Sequence, residues 1–134
     1  MFPLYNMTDQ KALNQLTKKI IGAAIEVHRH LGPGLLESTY EACLAHELRL
    51  LGLAVERQKA LPIVYKDMQL EKGYRIDLVV EGKAILELKV VDFFTPVHEA
   101  QILSYLKLSG YPVGLLLNFH VKMMKDGIRR FTMI

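Results

Sequence analysis

Arg75-Ile76-Asp77-Leu78-Val79-Val80 and Ala84-Ile85-Leu86-Glu87-Leu88-Lys89-Val90-Val91, joined by Glu81-Gly82-Lys83, form the stretch from which the fold is read. Side chains on an extended strand alternate between two faces. Ile76, Leu78 and Val80 therefore share one face of the first strand, leaving Arg75, Asp77 and Val79 on the other. In the second strand Ala84, Leu86, Leu88 and Val90 share a face, and Ile85, Glu87, Lys89 and Val91 lie opposite. Each strand thus has one wholly apolar face and one that carries charge. Matching the apolar faces requires a loop of Glu81 to Lys83, with Val80 opposite Ala84, Leu78 opposite Leu86 and Asp77 opposite Glu87. A one-residue slip would set charge against the apolar face, so the register is well specified.

Directly opposed residues on a sheet have Cβ atoms about 4.5–5.5 Å apart, and like charges there repel. A cation held between Asp77 and Glu87 would offset that repulsion, and hard carboxylate oxygens suit Mg²⁺ or Mn²⁺. Lys89 adds a positive charge on the same face. The hairpin alone fits a second reading at least as well: an exposed charged face on which Arg75 or Lys89 pairs with Asp77 or Glu87.

Working outward, residues 9–31 read as an amphipathic helix through Leu13, Leu16, Ile20, Ala24, Val27 and Leu31, with Thr8 as its cap. Gly32-Pro33-Gly34 ends it. A second helix is expected over about 36–51, with Tyr40, Leu44, Leu48 and Leu51 along one side and Gly52 as the stop. Residues 53–58 and 61–65 look like short strands, the latter weakened by Pro62. Thr95-Pro96 is a cap and first-turn pair for a third helix that runs to Ser109 and stops at Gly110. Residues 113–119 form a continuous apolar strand of the kind buried on both faces. A turn at Lys125-Asp126-Gly127 precedes a candidate edge strand over 128–134. The expectation is an α/β (α+β) domain in the order α-α-β-β-β-α-β, a central mixed sheet flanked by helices.

At 134 residues the chain is expected to be a single domain, 1–134, with its core over about 34–120. No apolar run approaches the roughly 20 residues of a membrane span. Met1 to Asn6, MFPLYN, lacks the basic start and apolar run of a signal peptide. The single Cys43 cannot form an internal disulfide or a zinc site by itself and is read as a small core residue. A reducing, cytoplasmic setting is therefore expected. The net charge of +3 is too small to establish a nucleic-acid partner. Lys122, Lys125, Arg129 and Arg130, and Lys18, Lys19 and Arg29, form basic clusters that suit phosphates but equally suit solvent.

Asp77, followed ten residues later by Glu87-Leu88-Lys89, resembles the D…(D/E)xK signature of the PD-(D/E)xK, or restriction-endonuclease-like, nuclease superfamily. Upstream, Gly34-Leu35-Leu36-Glu37-Ser38-Thr39-Tyr40 is similar to the motif that names the GxxExxY family, a branch of that superfamily. Downstream, Gln101-Ile102-Leu103-Ser104-Tyr105 is similar to the QxxxY motif of exonuclease-like members. The likeness runs from about Thr17 to Phe131, and Arg75-Ile76 stand where the superfamily's proline would precede Asp77. The resemblance implies a core of a helix, a three-stranded meander, a second helix and a further strand. It implies that Asp77, Glu87 and the carbonyl of Leu88 bind metal, with Glu37 as an additional carboxylate. Lys89 would then position or deprotonate the attacking water, or stabilise charge in the transition state.

Plainer readings stand beside these. Glu37 sits in a first helical turn, where the dipole favours a carboxylate. Tyr40 is read as a packing residue with a locally bonded hydroxyl. Gln101 and Tyr105, with His98 three residues before Gln101, make a polar stripe opposite Leu103 and Leu106 that faces either the site or solvent, and for His98 solvent is preferred. Three functions compete: a Mg²⁺- or Mn²⁺-dependent nuclease, DNA ahead of RNA as substrate; an inactive nuclease-fold module that binds nucleic acid or a protein partner, as a monomer or homodimer; and a phosphohydrolase acting on small phosphates.

Overall fold

The computed structural model describes residues 7–71 and 73–133; Met1 to Asn6, Lys72 and Ile134 lie outside the described residues, as does the reading made above of the N-terminal stretch. Three helices and seven strands follow in the order α1 (Met7–Leu31), α2 (Glu37–Leu50), β1 (Val55–Ala60), β2 (Ile63–Tyr65), β3 (Met68–Leu70), β4 (Arg75–Val80), β5 (Ala84–Lys89), α3 (Pro96–Ser109), β6 (Val113–Asn118) and β7 (Ile128–Thr132). A five-stranded sheet runs β1-β4-β5-β6-β7, and β2 and β3 form a separate hairpin. The β5–β6 pair is parallel, with α3 as its crossover, and the other pairs are antiparallel. This is the expected mixed sheet flanked by helices.

Its register agrees with the parity argument: Leu78 pairs with Leu86 and Val80 with Ala84. Glu81 and Gly82 take positive φ, 56° and 61°, to close the three-residue loop. Leu78, Val80, Ala84, Leu86 and Leu88 bury against α1 and α2 through Leu13, Leu16, Ile20, Ala24, Leu44 and Leu48. The second face buries Val79, Ile85 and Leu116 under Ile102, Tyr105 and Leu106 of α3. Burying a Leu or Ile side chain contributes about 1.5–3 kcal/mol, so sheet and helices hold each other on both faces. The β6 strand, buried at every position, reads as expected.

Several expectations need correction. Helix α1 already includes Met7 and Thr8, so Thr8 does not start it. Leu51 follows α2 as its C-cap and is half exposed. Residues 61–65 do not join the main sheet: Ile63–Tyr65 turns back on Met68–Leu70, a strand not foreseen. Lys66 at φ 55° makes that turn. Residues 124–127 form a 3₁₀ turn. Ile76 packs with Leu61, Val79 and Ile85, not with Leu78 and Val80. The alternation is interrupted at Asp77, where the β4–β5 ladder stops at Leu78. On the other side no partner is paired at Gln58, whose φ is 50°. The chain opens at Asp77, and this opening is where the site lies.

Candidate active site

Because β5 and β6 are parallel and β4 runs against β5, Asp77, Glu87, Lys89 and Asn118 gather at one end of the sheet. The β4–β5 ladder ends at Leu78 and Leu86, and Asp77 lies just beyond it, close enough to Glu87 for their charges to interact. Instead of a continued backbone ladder, Asp77 Oδ2 accepts the Leu88 N–H at 2.8 Å. That bond fixes one carboxylate oxygen. Asp77 Oδ1 accepts from Gln58 Nε2 at 3.3 Å. Gln58 in turn donates to Glu41, which also accepts Arg57 Nε and Nη2 at 3.2 and 3.1 Å. Glu41 lies on α2 one turn after Glu37 and is buried.

Glu87 sits in an unfavourable electrostatic setting. It is 3% exposed, and its Oε1 is buried with no hydrogen-bond partner among the described residues. Such an orphan oxygen costs free energy unless the carboxyl is neutral or meets a cation. Burial, then the negative charge of Asp77 and a hydrogen bond shared with its carboxyl, pushes the Glu87 carboxyl up to about 9, with Lys89 opposing. Glu37, exposed at the rim as the first residue of α2, is also raised, by desolvation first and then by Asp77, with Lys89 lowering it. The three acids and Lys89 therefore share one field.

Lys89 Nζ donates to Gln101 Oε1 at 2.9 Å. Gln101 Nε2 donates to the Tyr105 hydroxyl at 3.2 Å. Helix α3 thus presents Gln101 and Tyr105 to the sheet, and Tyr105 is buried, its hydroxyl raised by desolvation and by the charges of Glu87 and Asp77. Leu106 is buried on the same helix and Leu103 is exposed, so the expected polar stripe does not lie opposite both. His98 does not join the site. Its Nδ1 accepts the Thr95 N–H at 3.1 Å and closes the start of α3, a role that a histidine three residues after a capping threonine can fill. Tyr40 stacks on Phe119 at 4.5 Å and donates to the Gly32 carbonyl while accepting the Leu35 N–H, so it shapes the loop that delivers Glu37. Cys43 packs half-buried against the core.

Glu41, Gln58 and Asn118 were not singled out from the sequence. Asn118 clamps the chain beyond Lys89, accepting the Val91 N–H at 3.1 Å and donating to its carbonyl at 2.8 Å. A polar residue ending an otherwise apolar strand was a signal available for Asn118; Glu41 and Gln58 carried none.

A family model described as the PD-(D/E)XK nuclease superfamily matches residues 14–131. The chain belongs to this superfamily. No curated protein and no solved structure matches the chain. In this PD-(D/E)XK domain Asp77, Glu87 and Lys89 stand at one sheet end. Among the described residues, no three His, Cys, Asp or Glu side chains converge to hold a metal ion unaided. That count does not exclude Mg²⁺, which keeps several waters and takes one or two carboxylates together with substrate phosphates. The unpartnered, buried Glu87 Oε1 beside Asp77 is the donor such an ion needs, so the residues present fit the group. No helix among the described residues is long and apolar enough to cross a membrane.

Proposed function

We propose that this domain is a divalent-metal-dependent nuclease of the GxxExxY type, hydrolysing phosphodiester bonds with DNA ahead of RNA as substrate. The observation that carries the reading is Glu87: a buried carboxyl beside Asp77 with an orphan oxygen, its pKa pushed up to about 9 by that burial. Only a cation makes that pair of acids stable in ionised form.

Asp77, Glu87 and the Leu88 carbonyl would hold Mg²⁺ or Mn²⁺, with Glu37 reaching it from the rim directly or through water. When bound, such an ion neutralises phosphate charge and acidifies water. Asp77 keeps its orientation because Leu88 N–H and Gln58 hold its two oxygens. Lys89, held by Gln101 and Tyr105, offers its ammonium to the attacking water or to the charge that develops on the phosphate.

The test uses labelled single- and double-stranded DNA and RNA incubated with Mg²⁺ or Mn²⁺, alongside Asp77→Asn and Lys89→Ala. Cleavage by the wild type that falls at least a hundredfold in both variants is expected, in line with the typical 10²- to 10⁴-fold worth of such groups. Cleavage that persists in both would remove the assignment. A second reading is a nuclease fold retained for binding nucleic acid or a protein partner. Salt-dependent binding unaffected by EDTA, without turnover, is its signature.

A further inference from the structure

The loop that leaves β6 makes a cleft with the C-terminal end of α1. Ile25, His28 and Arg29 line one wall and Lys122, Met123 and Lys125 the other, around about 350 Å³. Met124 is buried and anchors the loop, and His28 Nε2 donates to the Val121 carbonyl at 2.8 Å, so the cleft is tied at both walls. Arg29 is engaged by Glu26, whereas Lys122 and Lys125 make no ion pair among the described residues. Asp126, also exposed, is the acid adjacent to them in the chain.

The cleft begins close to the site. Phe119 N–H donates to the Lys89 carbonyl at 3.0 Å, and the Phe119 ring lies 6.4 Å from that of His28. Asn118 pairs with Lys89, and Lys122 follows Asn118 by four residues, which span at most about 14 Å. A nucleic-acid strand carries a phosphate every 3.4 Å or so along a duplex axis, so that length of chain corresponds to about four phosphates.

We propose that this cleft is a secondary binding track for the phosphodiester backbone of the nucleic acid, with Lys122 and Lys125 as its phosphate contacts. This rests on the nuclease reading for its ligand class. A flexible ammonium on each lysine suits a sequence-independent phosphate contact.

The test measures binding of a fluorescent single-stranded DNA, the same RNA and a DNA duplex in EDTA across 50 to 300 mM salt. The full chain is compared with Lys122→Glu/Lys125→Glu and with a charge-matched control, Lys11→Glu/Lys107→Glu, at exposed positions of α1 and α3 that do not line the cleft. The cleft variant is expected to weaken binding and lower the slope of log K against log salt by about 2, roughly one per lysine contact. The three probes show which strand form uses the track. Equal losses in the cleft variant and the control would reduce the effect to net charge and overturn the proposal, as would no loss in either. Equal affinity for a polyglutamate of matched charge would overturn it in favour of an acidic protein partner. Because EDTA suppresses cleavage, a lysine-dependent track in a protein that never cuts would sink the nuclease reading alone, and cutting with an unchanged slope would sink the track alone.

Discussion

Burial of Glu87 predicts an unusual loss of stability toward alkaline pH. Its carboxyl is raised from 4.5 to about 9, with desolvation the largest cause. The folded protein therefore binds this proton more tightly than the unfolded chain. Stability from the neutral acid is fully present below the unfolded pKa, declines as pH rises, and is gone above about 9. The slope within that window is about 1.36 kcal/mol per pH unit, so the step from pH 6 to pH 8 costs about 3 kcal/mol. In Glu87→Gln the amide occupies the place of the neutral acid and does not titrate. Urea unfolding in EDTA at both pH values measures the difference. With a urea slope of about 1–3 kcal/mol per molar, the wild-type midpoint should fall between pH 6 and pH 8 by about 1–3 M more than that of the variant. Mg²⁺ added at pH 8 should restore much of the wild-type loss, since an ion that binds only the folded state stabilises it, and should release about one proton as it binds. An identical pH dependence in wild type and Glu87→Gln would refute the reasoning, because the carboxyl would then be ionised at no cost.

Three further substitutions separate the supports of the site from those of the fold. In Tyr105→Phe, Gln101 Nε2 loses its acceptor and Lys89 its fixed partner, which at about 1 kcal/mol for one hydrogen bond should slow cleavage by five- to tenfold; an unchanged rate would mean that Lys89 sets itself. A Cβ on Gly127 would stand 2.1 Å from the Asn118 carbonyl oxygen, a backbone atom that cannot move aside, so Gly127→Ala should destabilise by about 3 kcal/mol or more in chemical unfolding. Gly114→Ala instead meets only side chains, Ile102 at 2.9 Å and Ile85 at 3.1 Å, which can shift, and should cost less, about 1–2 kcal/mol; a ranking in the opposite order would contradict the packing described here.

Helices and paired strands were legible because their signals are local. The apolar period of α1, the Thr95-Pro96 start of α3 and the two-residue alternation around Glu81-Gly82-Lys83 follow from a few neighbouring residues each. Alternation with loop length was enough to set Leu78 against Leu86 and Val80 against Ala84, while Asp77 falls just past the end of that ladder. Sequence reasoning missed the β2–β3 hairpin, which starts and ends within a few residues and shows no period long enough to read. It also carried the alternation through Ile76, since nothing in Arg75-Ile76-Asp77 signals that the strand opens there.

From residue order alone came the charged and apolar faces, the pairing of the two central strands and the presence of Glu37, Lys89, Gln101 and Tyr105 on elements that could converge. Only tertiary docking decided that Glu41 and Gln58 steady Asp77, that Asn118 clamps the chain after Lys89, and that His98 caps a helix instead of facing the acids. Docking also decided how deeply Glu87 is buried, and with it the protonation of the site. The physical reason is range. Face and register are set by side chains a few positions apart, whereas burial and hydrogen-bond partnership depend on where distant helices come to rest on the sheet.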